Sequence, residues 1–461
     1  METTTDDVFE QQNAAFMQWL VASQHAEVNP KVALADLRAS GAGRGVVALS
    51  PLEADELVFR LPRESALTAE TSTLSSLLPP GVLAALDQWL ALILVLIFET
   101  RASSAWKPYI DLLPREFNTL IYWTASEISM LRGSAVLKKI GKEDAEATFV
   151  EKLLPVVRAH EEIFKDTALA DIPAGQSFER HFIDTAHRMA SVVMSYSFDL
   201  VVPGQEDKAD DEEEEDEDEE DEHYKAMVPL ADLLNADADR NNCRLFETPA
   251  GLEMKTVAPV SAGAELFNDY GPLPRSDLLR RYGYITEHYA QYDVVELDSR
   301  SIVGEATRAL EEEDRQERVD YLLEEGVLDD SFDLEAAELE VPEEMLVVVN
   351  TLLLTKPEFK RYKNAGKTPK PKLSEKVAEV LCRILEARAR EYPTTLEEDE
   401  KILAEGQLQG RERAAVEVRL GEKRILRGAY RVIVRKIAEK GAPKRPLEEA
   451  EEAGGKRVKA T

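Results

Sequence analysis

The stretch ELFNDYGPLPRSDLLRRYGYI, Glu265 to Ile285, sets Tyr270 between an acidic residue and a glycine and adds Tyr282 and Tyr284 a dozen residues on. A phenol of pKa about 10 is a poor general base at neutral pH, so a tyrosine at a reacting centre orients its partners and biases their charge. A second candidate is GAGRG, Gly41 to Gly45, whose glycines let the backbone approach a ligand closely. It matches neither a dinucleotide fingerprint nor a phosphate loop, because no strand precedes it and no helix or Lys-Ser/Thr pair follows. Metal chemistry finds no support. The six histidines are scattered, and Cys243 and Cys382 are too far apart in sequence to form a cluster. His181 and His187 lie six residues apart on a helical stretch and share no ligand face, which makes them structural.

Elements must hold these residues in place, and 461 residues exceed what one hydrophobic core normally serves, so two or more domains are expected. The start, METTTDDVFEQQ, has neither the basic nor the apolar region of a secretion signal, and the cysteines give no disulfide framework, which suggests a reduced, intracellular protein. The most apolar run is unbroken only from Trp89 to Phe98. A bilayer needs about 20 such residues, so this run reads as a buried helix and no membrane partner is expected. Net charge is −33, of which the segment from Glu206 to Glu222 carries −14 and the rest −19. Such a surface repels nucleic-acid backbone and steers basic polypeptides toward it.

Short β-branched runs separated by turns occupy Gly45 to Pro62 and recur from Gly251 to Gly271. The residues between them look mostly helical, so the fold is a β unit with a large insertion. Within it, residues 203–222 form an acidic loop that cannot bury a core and reads as disordered. Beyond Leu297 the chain turns helical: Leu373, Val377, Val380, Leu381, Ile384, Leu385 and Ala389 share a helix face, as do Leu426, Tyr430, Ile433 and Ile437. Thr395 with Glu398 three residues later is a reciprocal helix-start signal.

Five motifs, GAGRGVVA, LALILVLIFETRASSAWKPYIDLLP, SYSF at Ser195 to Phe198, MVPLADLLNADADRNN, and ELFNDYG with RRYGYI, stand in the order found in SET-domain lysine methyltransferases. The subclass they resemble is that of Rubisco large-subunit methyltransferase, closest to the fungal enzymes that methylate a ribosomal-protein lysine and their animal relatives. EYPTTLEEDEKIL looks like part of that subclass's helical substrate-binding domain. The resemblance implies an α+β chain: a β-rich SET fold over residues 16–296 with a helical insertion at about 62–226, an all-helical substrate-binding domain over 297–440, and a disordered tail over 441–461.

It also implies a reaction. Moving a methyl group from S-adenosylmethionine to lysine needs a neutral amine, an in-line approach and little water, which a narrow apolar channel lined by tyrosines provides. By resemblance, Tyr270 is the catalytic tyrosine, and Ala42, Gly43, Arg44, Tyr196, Asn235, Ala236 and Tyr282 contact the cofactor. Trp106, Ser197 and Tyr282 contact the substrate lysine, whereas Tyr284 is packing. Ala236 replaces the histidine that many such enzymes carry after the asparagine, so main-chain contacts survive there and the imidazole's role is absent. Asn235 alternatively caps the turn after LADLL. The tail places Lys444-Arg445 ten residues before Lys456-Arg457-Val458-Lys459, the pattern of a bipartite nuclear import signal read by importin. The expectation is a nuclear, monomeric lysine methyltransferase acting on a basic protein, ribosomal by resemblance, with no nucleic acid or metal bound. The alternative is a SET-fold protein that recruits basic partners without chemistry.

Overall fold

The computed structural model describes residues 5–202 and 223–441. The acidic loop 203–222 and the basic tail with the import signal expected of it lie outside the described residues. The chain divides into two compact units, Met1–Asp293 with Ile402–Val418, and Val294–Lys401 with Arg419–Thr461. The boundary thus falls just ahead of the expected Leu297, and a later segment returns to the first unit.

In the first unit, helix α1 (Thr5–Ala22) precedes strands β1 (Glu27–Val28), β2 (Val32–Asp36), β3 (Arg44–Ala48) and β4 (Leu57–Leu61). Helices α2 (Gln88–Glu99) and α3 (Phe178–Tyr196) belong to the insertion. They are followed by β5 (Ser197–Val201), β6 (His223–Met227), β7 (Asn235–Ala236), β8 (Cys243–Thr248), β9 (Gly251–Thr256), β10 (Glu265–Asn268) and helix α4 (Arg275–Tyr282). The strands form one sheet in the order β1-β4-β9-β8, another in the order β2-β3-β10-β7, and a ribbon of β5 with β6.

The apolar run forms α2 as expected. Asp87 caps it by accepting from the Leu90 N–H at 2.8 Å, and every residue from Leu90 to Glu99 is buried. Each large apolar side chain buried there stabilises the unit by roughly 1.5–3 kcal/mol. The second sheet joins segments distant in sequence. β10 runs antiparallel to β3, pairing Glu265 with Val47, and parallel to β7, pairing Phe267 with Asn235. A Cβ on Gly45 would lie 2.5 Å from Leu37 Cδ1 and 2.8 Å from Glu265 Oε1, so a larger residue there would displace both side-chain ends. In the returning segment, Ala414, Ala415 and Val418 pack with Leu120, Trp123, Leu131 and Leu279 in a separate apolar cluster of the first unit.

The second unit is largely helical but not wholly so. β11 (Val294–Asp298) pairs antiparallel with β12 (Ser331–Glu335) across five residue pairs. This corrects the all-helical expectation: Val295 and Leu297 on one strand and Phe332 and Leu334 on the other alternate inward and are buried, a period of two that short runs among helices conceal. Helix α5 (Glu375–Ala389) buries Val377, Val380, Leu381, Ile384 and Leu385 of the apolar face expected but leaves Ala389 exposed, with Ser374 as its N-cap. At the start of α6 (Leu396–Ala404), Glu398 accepts from the Thr395 N–H at 2.7 Å and Thr395 Oγ1 accepts from the Glu398 N–H at 3.2 Å, the expected reciprocal cap. Asp399 is fully buried, accepting from Thr394 Oγ1 at 2.6 Å, from Arg419 at 2.9 Å and from Lys423. Arg419 and Lys423 lie on helix α7 (Gly410–Gly441).

Candidate active site

The end of β10 delivers Tyr270 and the end of α4 delivers Tyr282. Their rings stack face to face, 4.0 Å between centroids and 6° between planes. Two devices place α4. Gly283 closes it in the left-handed region (φ 77°), and Ser195 of α3 donates to the Arg281 carbonyl at 2.6 Å. Tyr196 follows Ser195 at the end of α3, where the chain turns into β5. Tyr196, Ser197, Asp232, Tyr270 and Tyr282 together line a cavity of about 220 Å³.

Burial pushes the Tyr196 phenol up to about 12 and raises Tyr270 and Tyr282 above the ordinary tyrosine value, with neighbouring phenols adding to the rise at Tyr270. All three therefore stay neutral at physiological pH. They orient an amine and exclude water from its alkyl stem rather than abstract protons.

The glycine-rich stretch is the turn between β2 and β3, running into the first residues of β3. Gly41 and Gly43 have φ of 81° and 70°, and nothing lies within 4 Å of where their Cβ atoms would be. Bare backbone thus faces open space. The residues present fit the S-adenosylmethionine implied by the motifs, since this cradle would hold a ligand through main-chain groups that side chains would obstruct. The Arg44 side chain is engaged elsewhere: Nε donates to Asn13 Oδ1 at 2.7 Å, Nη1 to the Leu112 carbonyl at 3.2 Å, and its guanidinium sits over Phe9 at 4.2 Å. The Asn235 amide donates to the Arg44 carbonyl at 3.2 Å and to Glu265 Oε1 at 2.7 Å, so it straps the three strands together. Ala236 is buried, and its carbonyl accepts from Tyr284 Oη at 3.3 Å.

A SET-domain family model matches residues 43–271, and a Rubisco LSMT substrate-binding model matches residues 310–426. The N-lysine methyltransferase setd6 of Xenopus laevis is 30% identical over 437 residues, 87% of this chain and 90% of that protein. This chain belongs to the SET-domain protein-lysine methyltransferases. Ribosomal lysine N-methyltransferase 4 of Saccharomyces cerevisiae is 33% identical over 307 residues, 64% of this chain and 60% of that enzyme's length. The structure of Rubisco LSMT bound to AdoMet matches the fold with a TM-score of 0.66 at 21% identity, covering 93% of this chain and 92% of that one.

In this SET methyltransferase, Tyr196, Ser197, Tyr270 and Tyr282 meet in one cavity, while Ala42 and Gly43 lie in the turn before β3, Arg44 opens β3, and Asn235 and Ala236 form β7. Trp106 goes elsewhere. Its ring packs against Trp19 at 5.7 Å and Tyr109 at 6.4 Å in the core, and it is not among the cavity's lining residues. His181 and His187 each bond within the fold, to the Ala168 carbonyl at 2.9 Å and to Glu146 at 3.2 Å, and among the described residues no cluster suits a metal ion. Sequence reasoning passed over Tyr109 and Asp232. Tyr109 Oη donates to Asp232 Oδ2 at 2.5 Å, and Asp232 faces the cavity. An ionisable residue inside the apolar run MVPLADLL was the available signal.

Proposed function

We propose that this enzyme transfers methyl groups from S-adenosylmethionine to a lysine of a basic protein, and that a large-subunit ribosomal protein is its substrate. The observation that carries the reading is the Tyr270–Tyr282 stack on a tyrosine-lined cavity beside the glycine cradle. When bound, the cofactor supplies a methyl group made electrophilic by its sulfonium. Backbone of Ala42 to Arg44, with the β7 residues Asn235 and Ala236, would hold it. The Tyr270 hydroxyl points the substrate nitrogen, and the Tyr282 ring, fixed by Gly283 and Ser195, keeps Tyr270 in its plane. The net charge of −33 favours a basic substrate, and the yeast relative, named a ribosomal lysine methyltransferase, supports the ribosomal choice.

The test is incubation with labelled cofactor and a ribosomal protein extract, followed by mass spectrometry of the labelled band. A labelled lysine in a large-subunit protein is the expected result. Label confined to non-ribosomal proteins would overturn the substrate assignment. We further propose nuclear residence through importin binding to Lys444-Arg445 and Lys456 to Lys459, and action as a monomer. Alanine at Lys456, Arg457 and Lys459 should move the protein to the cytoplasm, and continued nuclear location would refute the signal. Light scattering should return the mass of one chain, and twice that mass would refute the monomer.

A further inference from the structure

Gly41 and Gly43 leave the turn between β2 and β3 without side chains at the places where it would meet a ligand, so its shape has to be enforced from elsewhere. Glycine samples more backbone conformations than any other residue, and a turn that wanders must be ordered when its ligand arrives, which weakens binding. Main-chain bonds close the turn: the Leu37 N–H donates to the Gly43 carbonyl at 2.7 Å, and the Ala42 N–H to the Leu37 carbonyl at 3.2 Å. Its flanks are held by another element. Arg38 before the glycines and Arg44 after them both place their guanidiniums over the single ring of Phe9, at 4.6 Å and 4.2 Å from its centroid. Within about 6 Å such contacts are attractive. Asp36 offsets the repulsion between the two cations, since its Oδ1 accepts from the Arg38 N–H at 3.0 Å and from Arg38 Nε at 2.9 Å.

Phe9 lies on α1. Four residues on, on the same helix face, Asn13 accepts from Arg44 Nε at 2.7 Å. An arginine has donors only, so the amide oxygen is the atom that meets it. Asn13 is 5% exposed, and its Nδ2 has no hydrogen-bond partner, so the nitrogen end of the amide contributes no bond of its own. The face continues with Phe16 and Leu20, both fully buried, and Trp19 Nε1 donates to the Ala105 carbonyl at 2.8 Å. The second half of α1 is therefore fixed in the core, and the first half is a rigid arm against the turn. Burial lowers the Arg44 pKa from the ordinary arginine value, the mark of a guanidinium that has shed water, and hydrogen bonds in such surroundings are stronger than in bulk.

Resting on the methyltransferase reading above, we propose that Phe9 and Asn13 are positioning residues for S-adenosylmethionine, clamping both flanks of the glycine turn from α1 so that the turn holds its binding shape before the cofactor arrives. Arg44 divides its work between its parts. Its main chain would meet the ligand, while its side chain runs back to Asn13 and Phe9. Neither Phe9 nor Asn13 lines the tyrosine cavity. They act through Arg38 and Arg44, so they govern how tightly the cofactor binds rather than how fast the methyl group moves.

The experiment measures S-adenosylmethionine affinity by calorimetry, amide exchange at Leu37 and Ala42 in the unliganded enzyme, and KM and kcat with an acid-extracted ribosomal protein pool. Asn13→Ala should weaken cofactor binding and raise its KM alike, by about 10-fold, with kcat at saturating cofactor retained. Exchange at both amides should quicken by about 10-fold, and the difference should vanish once cofactor saturates the enzyme. Asn13→Asp keeps an oxygen against Arg44 and should restore affinity and protection. Phe9→Leu keeps apolar bulk but removes the ring face, and should weaken binding by about 5-fold. It carries the test if Asn13→Ala does not fold. A merely structural role would lower the melting temperature and leave affinity and exchange at the turn unchanged, which overturns the proposal. Asn13→Asp binding no tighter than Asn13→Ala also overturns it. Calorimetry and exchange need no substrate, so they stand whichever protein is methylated, and a wild type that fails to bind S-adenosylmethionine overturns the functional reading beneath the proposal.

Discussion

Replacing Gly283 by alanine separates two costs that the structure keeps apart at different glycines. Gly283 and Gly175 both lie in the first unit with φ in the left-handed region, 77° and 85°. For Gly175 the added Cβ meets nothing within 4 Å, so Gly175→Ala incurs only the conformational penalty, about 1–2 kcal/mol. For Gly283 the Cβ would also lie 2.8 Å from the Asn118 carbonyl carbon and 2.9 Å from the Thr119 nitrogen. Those are backbone atoms, so the two segments must part. Parting them breaks the 2.9 Å bond from Asn118 Nδ2 to the Gly283 carbonyl, which adds roughly 0.5–1.5 kcal/mol to the packing lost. With about 1 kcal/mol for the packing lost, the sum is about 2.5–4.5 kcal/mol. Scanning calorimetry should show the first unit melting lower than in Gly175→Ala by roughly 4–8 °C. Tyr282, the preceding residue, would leave its 4.0 Å stack on Tyr270, so methyl transfer should fall by at least about 10-fold while Gly175→Ala retains wild-type turnover. Equal melting shifts in the two variants, or full activity in a destabilised Gly283→Ala, would refute the reasoning.

Tyr270→Phe keeps the stacked ring and deletes the hydroxyl, so stability and calorimetric cofactor affinity should hold while turnover falls about 10²-fold, and unchanged turnover would remove Tyr270 from the mechanism. Asp399→Ala strands Arg419 and Lys423 in the second unit, and denaturant titration should show a loss of about 3–5 kcal/mol. Burial opposes ionisation of Asp399, but its bonds from Lys423, Thr394 and Arg419 outweigh that and hold its pKa below the ordinary carboxylate value. Its folded pKa is depressed, so its contribution is complete above the unfolded value of about 3.9 and disappears as pH falls through the folded one. Asp399→Asn should therefore flatten the acid limb of the stability profile, and an unaltered limb would count against the cluster's role.

How far the sequence disclosed this molecule depended on the range over which each signal acts. The α2 run, the Thr395 cap and the face of α5 were legible because their causes lie within a turn or two of chain. Tyr270 and Tyr282 were legible through motif order, but their stacking was not, since it depends on where α4 ends against β10. Trp106 shows the opposite case: the motif AWKPY was noticed, yet it is the Tyr109 hydroxyl that bonds to Asp232 of the cavity lining, while the Trp106 ring packs into the core. Three residues on a short helix decide which ring faces which way. β11 and β12 hid for a related reason, being five-residue strands whose alternation is brief and whose partners are distant in sequence.

The first unit is discontinuous along the chain, and synthesis is not. A ribosome that has released Asp293 has made every residue named here as catalytic or cofactor-binding, yet Ala414, Ala415 and Val418 are still to come. At roughly 5–20 residues per second the interval lasts about 6–25 s. During it Trp123, Leu131 and Leu279 lack the partners that cover them, and Leu279 lies on the helix that carries Tyr282. The nascent enzyme therefore emerges with its chemistry written but an apolar face uncovered beside it, and the last long helix is what finishes the catalytic unit. A chain cut at the boundary between the units would keep that face open permanently, so chaperone binding or aggregation, rather than a clean loss of substrate recognition, is what such a fragment should display.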